Sequence, residues 1–250
     1  MGIQKFDTSL GGIGGSPFMK ESKGNIATEE IVEHLNRLGY RSGIVSDKVS
    51  VASRMLEEII DSAWKTGDPG IYFIDEANKY NPTPHLGKLE STNPCGEVPL
   101  LPNESCNLGS INVSKFLNEQ TKEIEWNELR SCIRNSIHFL DNVVTVNKYP
   151  TDEIRELSNN MRRLGLGIMG FADLLTKSRI RYGSEQSFEL AKKLMKFISD
   201  EAWKMSEQLA ETRGTFPSWN KSDFTKNNKK VRNVNCTIIA PTGSIGTIAN

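Results

Sequence analysis

The 250-residue chain carries 31 basic and 31 acidic residues, so its formal net charge is zero. It therefore has no bulk charge that would favour nucleic acid or an acidic membrane surface. Hydrophobic residues make up 37% of the chain, and their runs are too short to predict a transmembrane helix. The first residues lack the apolar segment of a signal peptide, so we expect a cytoplasmic protein whose thiols stay reduced.

The first part of the chain predicts a loop, two helices and a strand. Residues 10–24 are dense in glycine, which indicates a long loop or a flexible tail. Thr28 is predicted to cap a first helix. A second helix is predicted over about 49–66, because apolar residues recur there at helical spacing, and residues 67–70 end it. A short buried strand over Ile71–Ile74 follows.

The remaining chain alternates helical and extended patterns, which is typical of the α/β class. The predicted elements are a loop over Asn78–Glu104, extended or turning chain over Leu108–Phe116, a long helix from about Asn127 to Asn147, helices at about 151–160, 161–176 and 185–212, a strand over Cys236–Ala240 and a turn over Pro241–Gly246. A strand and a turn at the C-terminal end, with nothing after them to pack on, predict a truncated domain.

The four cysteines fall into two kinds of local sequence. None has the spacing of a structural zinc site. Cys132 and Cys236 lie within apolar patterns, where we expect small core residues. Cys95 and Cys106 lie among proline, glycine and polar residues, where thiols are expected to be accessible and reactive.

The most informative stretch is Asn93-Pro-Cys-Gly-Glu97. In an extended chain, alternate side chains point to the same side, so Asn93, Cys95 and Glu97 would share one face. The proline cannot donate to a strand ladder, which predicts a loop or an edge. A loop that returns on itself would make Cys95 and Cys106 a redox pair, with Glu97 as general acid or base. An ordinary Pro/Gly loop is the alternative.

Two glycine motifs carry less information. The Thr-Gly-Ser turn at 242–244 follows an apolar segment, and its amides and hydroxyls suit a phosphate group, with a simple turn as the alternative. Gly165, Gly167 and Gly170 match the spacing of a dinucleotide-binding loop, but no strand is predicted before them. We therefore interpret them as sites of close helix packing.

A series of segments, in order along the chain, resembles the middle of an adenosylcobalamin-dependent (class II) ribonucleotide reductase over about 49–250. The segments are Ala63–Gly70, Asn81–His85, Ser91–Glu97, Glu104–Asn112, Phe139–Asn142, Arg163–Asp173 and Ala240–Ser244. The Pro-Cys-Gly form of the cysteine loop favours this class over the iron- or manganese-dependent class. The resemblance implies a ten-stranded α/β barrel, here partial and helix-rich, with the cysteine loop threaded through its centre.

The resemblance also implies roles for the site residues. Cys95 matches the cysteine that becomes a thiyl radical and abstracts the ribose 3′ hydrogen. Glu97 matches the carboxylate that takes the 3′-hydroxyl proton, and Asn93 matches an amide that hydrogen-bonds the sugar. Cys106 matches one thiol of the pair that supplies reducing equivalents. The loop formed by Pro241, Thr242, Gly243 and Ser244 matches the segment that holds the substrate phosphates.

The implied reaction replaces the ribose 2′-hydroxyl of a ribonucleoside di- or triphosphate by hydrogen. It implies adenosylcobalamin as cofactor, a thioredoxin-like reductant for the full enzyme and a homodimer. No cysteine precedes Cys95, although the second reducing cysteine of the family lies upstream. We therefore expect an incomplete and inactive fragment. A barrel without all its strands has open edges, so a non-catalytic fragment that associates through those edges is one alternative.

Residues 1–48 resemble a different family, namely the C-terminal end of hydroxymethylglutaryl-CoA lyase and related TIM-barrel lyases. The matching segments are Phe6–Phe18 and Gly24–Glu30. The resemblance implies that Asn25 is a divalent-metal ligand, and Ser16 stands where the lyases carry their catalytic cysteine. A remnant of a metal-dependent acyl-CoA lyase is thus a further alternative function. We predict two segments, 1–48 and 49–250.

Overall fold

The structure is a computed structural model that describes residues 8–10, 26–68 and 70–249. The chain divides into two compact units, the first over residues 1–72 and the second over 73–250. Among the helices of the described residues, none combines the length and the apolar character needed to cross a membrane.

The first unit is built on two helices that pack against each other, α1 (Thr28–Arg37) and α2 (Ser46–Thr66). Ser53 on α2 donates a 2.7 Å hydrogen bond to the carboxylate of Glu29 on α1. The second predicted helix is confirmed. The predicted join at 48–49 falls inside α2.

The predicted cap at Thr28 is wrong. Ala27 occupies the N-cap position with an extended backbone, and it offers no side-chain cap. Thr28 is the first helical residue, and its hydroxyl donates instead to the hydroxyl of Thr8 at 2.8 Å. The hydroxyl is therefore used for a contact outside the helix.

The second unit contains the other described α-helices and the strands. They are α3 (Ile74–Lys79), β1 (Ser91–Thr92), β2 (Pro99–Leu100), β3 (Asn107–Asn112), α4 (Trp126–Val146), α5 (Asp152–Met161), β4 (Leu164–Met169), α6 (Phe171–Lys177), α7 (Glu185–Arg213) and α8 (Gly243–Ile248). β1 and β2 form an antiparallel hairpin, whereas β3 and β4 pair in parallel. The helices between β3 and β4 form the crossover that a parallel pair requires, so the α/β prediction is confirmed.

The main core lies between the β3–β4 pair and the helices α4 and α7. The buried apolar residues of the two helices recur at helical spacing: Leu129, Ile133, Ile137, Leu140 and Val144 on α4, and Leu194, Ile198, Ala202 and Leu209 on α7. Both predicted helices are confirmed. Gly214 ends α7 with a φ of 81°, a backbone conformation that favours glycine.

A second buried cluster lies at the base of the hairpin. Its members are Leu89, Leu101, Met161, Phe216, Val231 and Val234. Leu101 follows β2 directly, and Met161 ends α5. The cluster therefore anchors the hairpin to the rest of the second unit through apolar contacts.

The predicted helix over 161–176 is wrong, because residues Leu164–Met169 form β4 and only the following residues form a helix. The glycines pack closely, as predicted, but within a strand. A Cβ on Gly167 would lie 2.5 Å from the carbonyl oxygen of Ile238. A residue with a side chain would clash at this position, because another backbone runs directly beside it.

That neighbouring backbone is the segment predicted as a strand over Cys236–Ala240. Within the described residues it forms a single parallel bridge, between Leu166 and Thr237, rather than a strand. Leu166 donates to Cys236 O at 2.9 Å and accepts from Ile238 N at 3.1 Å. The predicted strand is thus reduced to a short, strand-like contact on β4.

The predicted buried strand over Ile71–Ile74 is also wrong. Ile71 and Phe73 are exposed, and Ile74 begins α3. The acidic residues Asp75 and Glu76 fall in the first turn of this helix, where the helix dipole favours negative charge. A short apolar run with no strand beside it therefore lies at the surface.

Candidate active site around the cysteine hairpin

The cysteine motif forms the tight turn between β1 and β2. Asn93 N donates to Val98 O at 3.2 Å, Val98 N donates to Asn93 Oδ1 at 3.1 Å, and Gly96 N donates to Asn93 O at 3.0 Å. Gly96 has a φ of 85°, which a residue with a side chain adopts at a cost. The predicted loop is confirmed. The predicted extended backbone is wrong, because the chain reverses direction within the motif.

The hairpin exposes one reactive group and half-buries another. Cys95 is exposed at the tip, so its predicted accessibility is confirmed. Glu97 is half-buried, and its Oε2 makes no hydrogen bond to any described residue. A buried acceptor without a partner costs about 1–3 kcal/mol, so this oxygen is available to accept a hydrogen bond from a ligand.

A buried ion pair fixes the chain that follows the hairpin. Glu104 accepts from Leu101 N at 3.0 Å through one carboxylate oxygen and from Arg163 Nε at 2.6 Å through the other. Glu104 and Arg163 are 8% and 7% exposed. Because Arg163 directly precedes β4, the pair ties the turn after β2 to the parallel strands.

The second site cysteine, Cys106, lies where this turn enters β3. Its thiol is half-buried, and its sulfur would lie 3.1 Å from a Cβ added to Gly165 on β4. Burial raises the pKa of Cys106 to about 12; Arg163 opposes the rise, whereas Glu104 and Glu97 add to it. The predicted reactivity of this thiol is therefore not favoured, because the sulfur keeps its proton at neutral pH.

Four side chains are linked here by the ion pair or by the effect of charge on the thiol: Cys106, Glu97, Glu104 and Arg163. The sequence predicted the first two as site residues and missed the other two. Glu104 and Arg163 are 59 residues apart in the chain, and no local pattern pairs them. The sequence did hold one indication of their importance, because both lie in segments that resemble the reductases. Glu104 stands two residues before Cys106, and Arg163 stands two residues before Gly165.

The other cysteines have the predicted packing. Cys236 is fully buried in the main core, and Cys132 is half-buried against it. All four cysteines are free thiols. A redox pair formed by Cys95 and Cys106 stays a prediction.

The predicted phosphate segment lies at the start of α8. Thr242 occupies the N-cap position of this six-residue helix with a φ of 57°, and Pro241, Gly243 and Ser244 are exposed. Its role toward phosphate stays a prediction.

The predicted metal ligand Asn25 lies outside the described residues. Within residues 8–10, 26–68 and 70–249, no group of three or more histidine, cysteine, aspartate or glutamate residues is placed to hold a metal ion.

Comparison with known families matches residues 15–233 to the family described as "Ribonucleotide reductase, barrel domain". The vitamin B12-dependent ribonucleoside-diphosphate reductase of Thermoplasma acidophilum is 50% identical over 198 residues, which cover 79% of this chain and 26% of that protein. The reductase of the same name from Mycobacterium tuberculosis is 43% identical over 198 residues, covering 79% and 28%. The solved class Id ribonucleotide reductase alpha subunit of Actinobacillus ureae aligns with a TM-score of 0.63 and 25% identity, covering 78% of this chain and 38% of that one.

These similarities confirm the predicted fold, a partial and helix-rich α/β barrel of the reductase type. The chain spans about a quarter of the length of the two curated relatives. The family match begins at residue 15 and crosses the predicted join at 48–49. The division into a lyase-like and a reductase-like segment stays a prediction.

Proposed function

Because the chain belongs to the family of the ribonucleotide reductase barrel domain, we propose that it supplies part of a catalytic domain that reduces ribonucleotides to deoxyribonucleotides through a thiyl radical. The observation that carries the proposal is the cysteine hairpin. Its turn presents the exposed thiol of Cys95 two residues from Glu97, whose Oε2 lacks a partner among the described residues. A hydrogen-atom donor and a proton acceptor thus lie on one rigid turn.

Each site residue has a role in this proposal. Cys95 carries the radical and abstracts the ribose 3′ hydrogen, while Glu97 takes the proton of the 3′-hydroxyl group. Asn93 uses Oδ1 to hold the turn, so its Nδ2 is the group that hydrogen-bonds the sugar. Cys106 is one thiol of the pair that supplies two electrons and two protons as the 2′-hydroxyl leaves as water. Its raised pKa keeps the proton on the sulfur until that step.

We assign adenosylcobalamin as the cofactor because two similar relatives are named vitamin B12-dependent. When bound, this group supplies the radical that removes a hydrogen atom from a thiol. The site fits such a group because the Cys95 thiol is exposed and can be approached from outside the hairpin. The contribution of this chain is to hold that thiol on a turn whose backbone hydrogen bonds fix its position.

The proposed substrate is a ribonucleoside diphosphate, the class named for the two curated relatives, with a triphosphate as the alternative. Pro241, Thr242, Gly243 and Ser244 are the proposed phosphate segment. A thioredoxin-like reductant, a homodimer and a cytoplasmic location complete the proposal for the whole enzyme.

The test measures alkylation of each cysteine by mass spectrometry, with and without nucleotide. A ribonucleoside di- or triphosphate bound at the hairpin should slow alkylation of Cys95 and leave Cys132 on α4 unchanged. Inorganic pyrophosphate is the control for phosphate alone, and Glu97→Gln should weaken the protection. A folded sample in which millimolar nucleotide leaves the Cys95 rate unchanged, or slows both cysteines equally, would contradict the proposal.

A further inference from the structure

The ion pair between Glu104 and Arg163 lies against the Cys106 thiol. Arg163 directly precedes β4, and Gly165 is the second residue of that strand. Residues two apart in an extended chain point to the same side, so the Arg163 side chain and the open face of Gly165 are neighbours. The Cys106 sulfur occupies that face, because a Cβ on Gly165 would lie 3.1 Å from it.

Glu104 holds the guanidinium in place and leaves part of it unused. Both oxygens of Glu104 are occupied, one by Leu101 N and one by Arg163 Nε. The Nη2 of Arg163 is buried and has no hydrogen-bond partner among the described residues. A residue that is 93% buried thus keeps a spare donor beside a cysteine, since its exposed fraction is 7%.

Charged groups from three segments act on the thiol. Glu97 on the hairpin and Glu104 on the following turn disfavour a negative charge on the Cys106 sulfur, whereas Arg163 favours it. The other neighbours of that face, Leu108 and Ile238, are apolar. Arg163 is therefore the positive charge that opposes two carboxylates.

We propose that Arg163 is a positioning residue for Cys106: Glu104 fixes its guanidinium beside the thiol, where its positive charge tunes the reactivity of the sulfur. This proposal rests on the proposed function in one respect, namely the reason why such a charge would be useful. The charge would let a reducing thiol release its proton when it is oxidised. The alternative is a purely structural ion pair, which only holds the turn over 101–104 against β4. It predicts that the labelling rate of Cys106 does not follow the charge of the substituted residue.

The test compares alkylation rates by iodoacetamide in the full chain at one pH below the pKa of Cys106. Arg163→Met should slow labelling of Cys106, and Glu104→Gln should speed it. The thiolate fraction changes tenfold per pKa unit, and the accompanying change in nucleophilicity leaves a net effect of about three- to fourfold per unit. Arg163→Lys, which keeps the charge, should restore most of the rate.

Two internal references separate electrostatics from loss of structure. Cys236 is fully buried, so its labelling reports opening of the fold and should stay unchanged in every variant. Arg155→Met removes an exposed positive charge on α5, where Arg155 pairs with Asp152, and should leave Cys106 unchanged.

Opposite shifts for Arg163→Met and Glu104→Gln would support the proposal. Shifts in the same direction, accompanied by faster labelling of Cys236, or no shift of Cys106 in either variant, would overturn it. If Arg163→Met does not fold, Arg163→Gln takes its place and should likewise slow labelling of Cys106 relative to Arg163→Lys, with Cys236 unchanged; equal rates in these two variants would overturn the proposal. The assay needs neither nucleotide nor cofactor, so its outcome is independent of the Cys95 protection experiment.

Discussion

Replacing Asp141 by asparagine should strongly destabilise the second unit. Asp141 is fully buried on α4, and its Oδ1 accepts from Arg162 Nε at 2.8 Å and from Asn233 Nδ2 at 2.9 Å. Its Oδ2 lies 3.3 Å from Nη1 of Arg213 at the end of α7. One carboxylate thus joins α4, α7, the chain before β4 and the segment that runs beside β4.

The size of the effect follows from the burial of the partners. The side chain of Arg162 is 5% exposed, so the substitution leaves a buried guanidinium without its counter-charge. Breaking a buried pair in this way costs about 3–5 kcal/mol, whereas the 37% exposed Arg213 adds at most about 1 kcal/mol. The total free energy of unfolding of such domains is about 5–15 kcal/mol, so the substitution would remove a large part of it.

The measurement is urea unfolding followed by tryptophan fluorescence in a Trp64→Phe background. Trp64 lies in the first unit and is exposed, so the remaining tryptophans report on the second unit. The matched control is Asp200→Asn on α7, where the carboxylate is exposed and pairs with Lys196 four residues before it. That substitution should cost no more than about 0.5 kcal/mol.

A double-mutant cycle tests the reasoning itself. Arg162→Met in the Asp141→Asn background should recover part of the lost stability, because it removes the most deeply buried of the three arginines that lose their counter-charge; Arg213 and Arg232 remain and keep the recovery partial. A loss below about 1 kcal/mol for Asp141→Asn, or equal losses for Asp141→Asn and Asp200→Asn, would refute the assigned role.

Two further predictions concern β4 and α7. Gly167→Ala should cost about 1–3 kcal/mol in urea unfolding, because its Cβ would meet a backbone oxygen at 2.5 Å; Gly109→Ala, whose nearest contact is 3.5 Å, is the control and should be close to neutral. Burial raises the pKa of the Glu201 carboxyl, but hydrogen bonds from Lys204 and Arg134 lower it by more, so the pKa in the folded chain is below its ordinary value of 4.5. The difference in unfolding free energy between wild type and Glu201→Gln should be constant above the ordinary pKa of the carboxyl and should fall as the pH drops through the folded pKa. A difference that keeps the same size in strong acid would contradict a lowered pKa.

The long helices were predictable because their cores are local patterns. α4 and α7 each carry apolar residues at a spacing that one helical face can bury, and the structure buries both faces in one core, where α4 packs against the parallel strands and against α7. β4 was not predictable in the same way. Its residues alternate leucine and glycine, and its partner β3 lies 57 positions earlier, as the pairing of Asn107 with Leu164 shows. A strand stabilised by a distant partner leaves little local signal.

The cysteine motif shows where a local rule fails. Alternation of side chains assumes an extended backbone, but Asn93 supplies both a backbone and a side-chain acceptor to the same turn, and Gly96 adopts a left-handed conformation. Both residues favour a reversal of the chain. The residue types therefore indicated a site correctly while the assumed geometry was wrong.

The environments of the two site thiols differ in a way that suits different chemistry. Cys95 is exposed on a turn held by backbone hydrogen bonds, so a radical source can reach its sulfur without movement of the core. Cys106 is half-buried among Glu97, Glu104 and Arg163, and its pKa is raised to about 12, so its proton stays bound until the charge nearby changes. Under the proposed function, Glu97 takes a proton during turnover, which neutralises one of the two carboxylates that disfavour the Cys106 thiolate. The reducing thiol would then release its own proton more readily at the step that requires it.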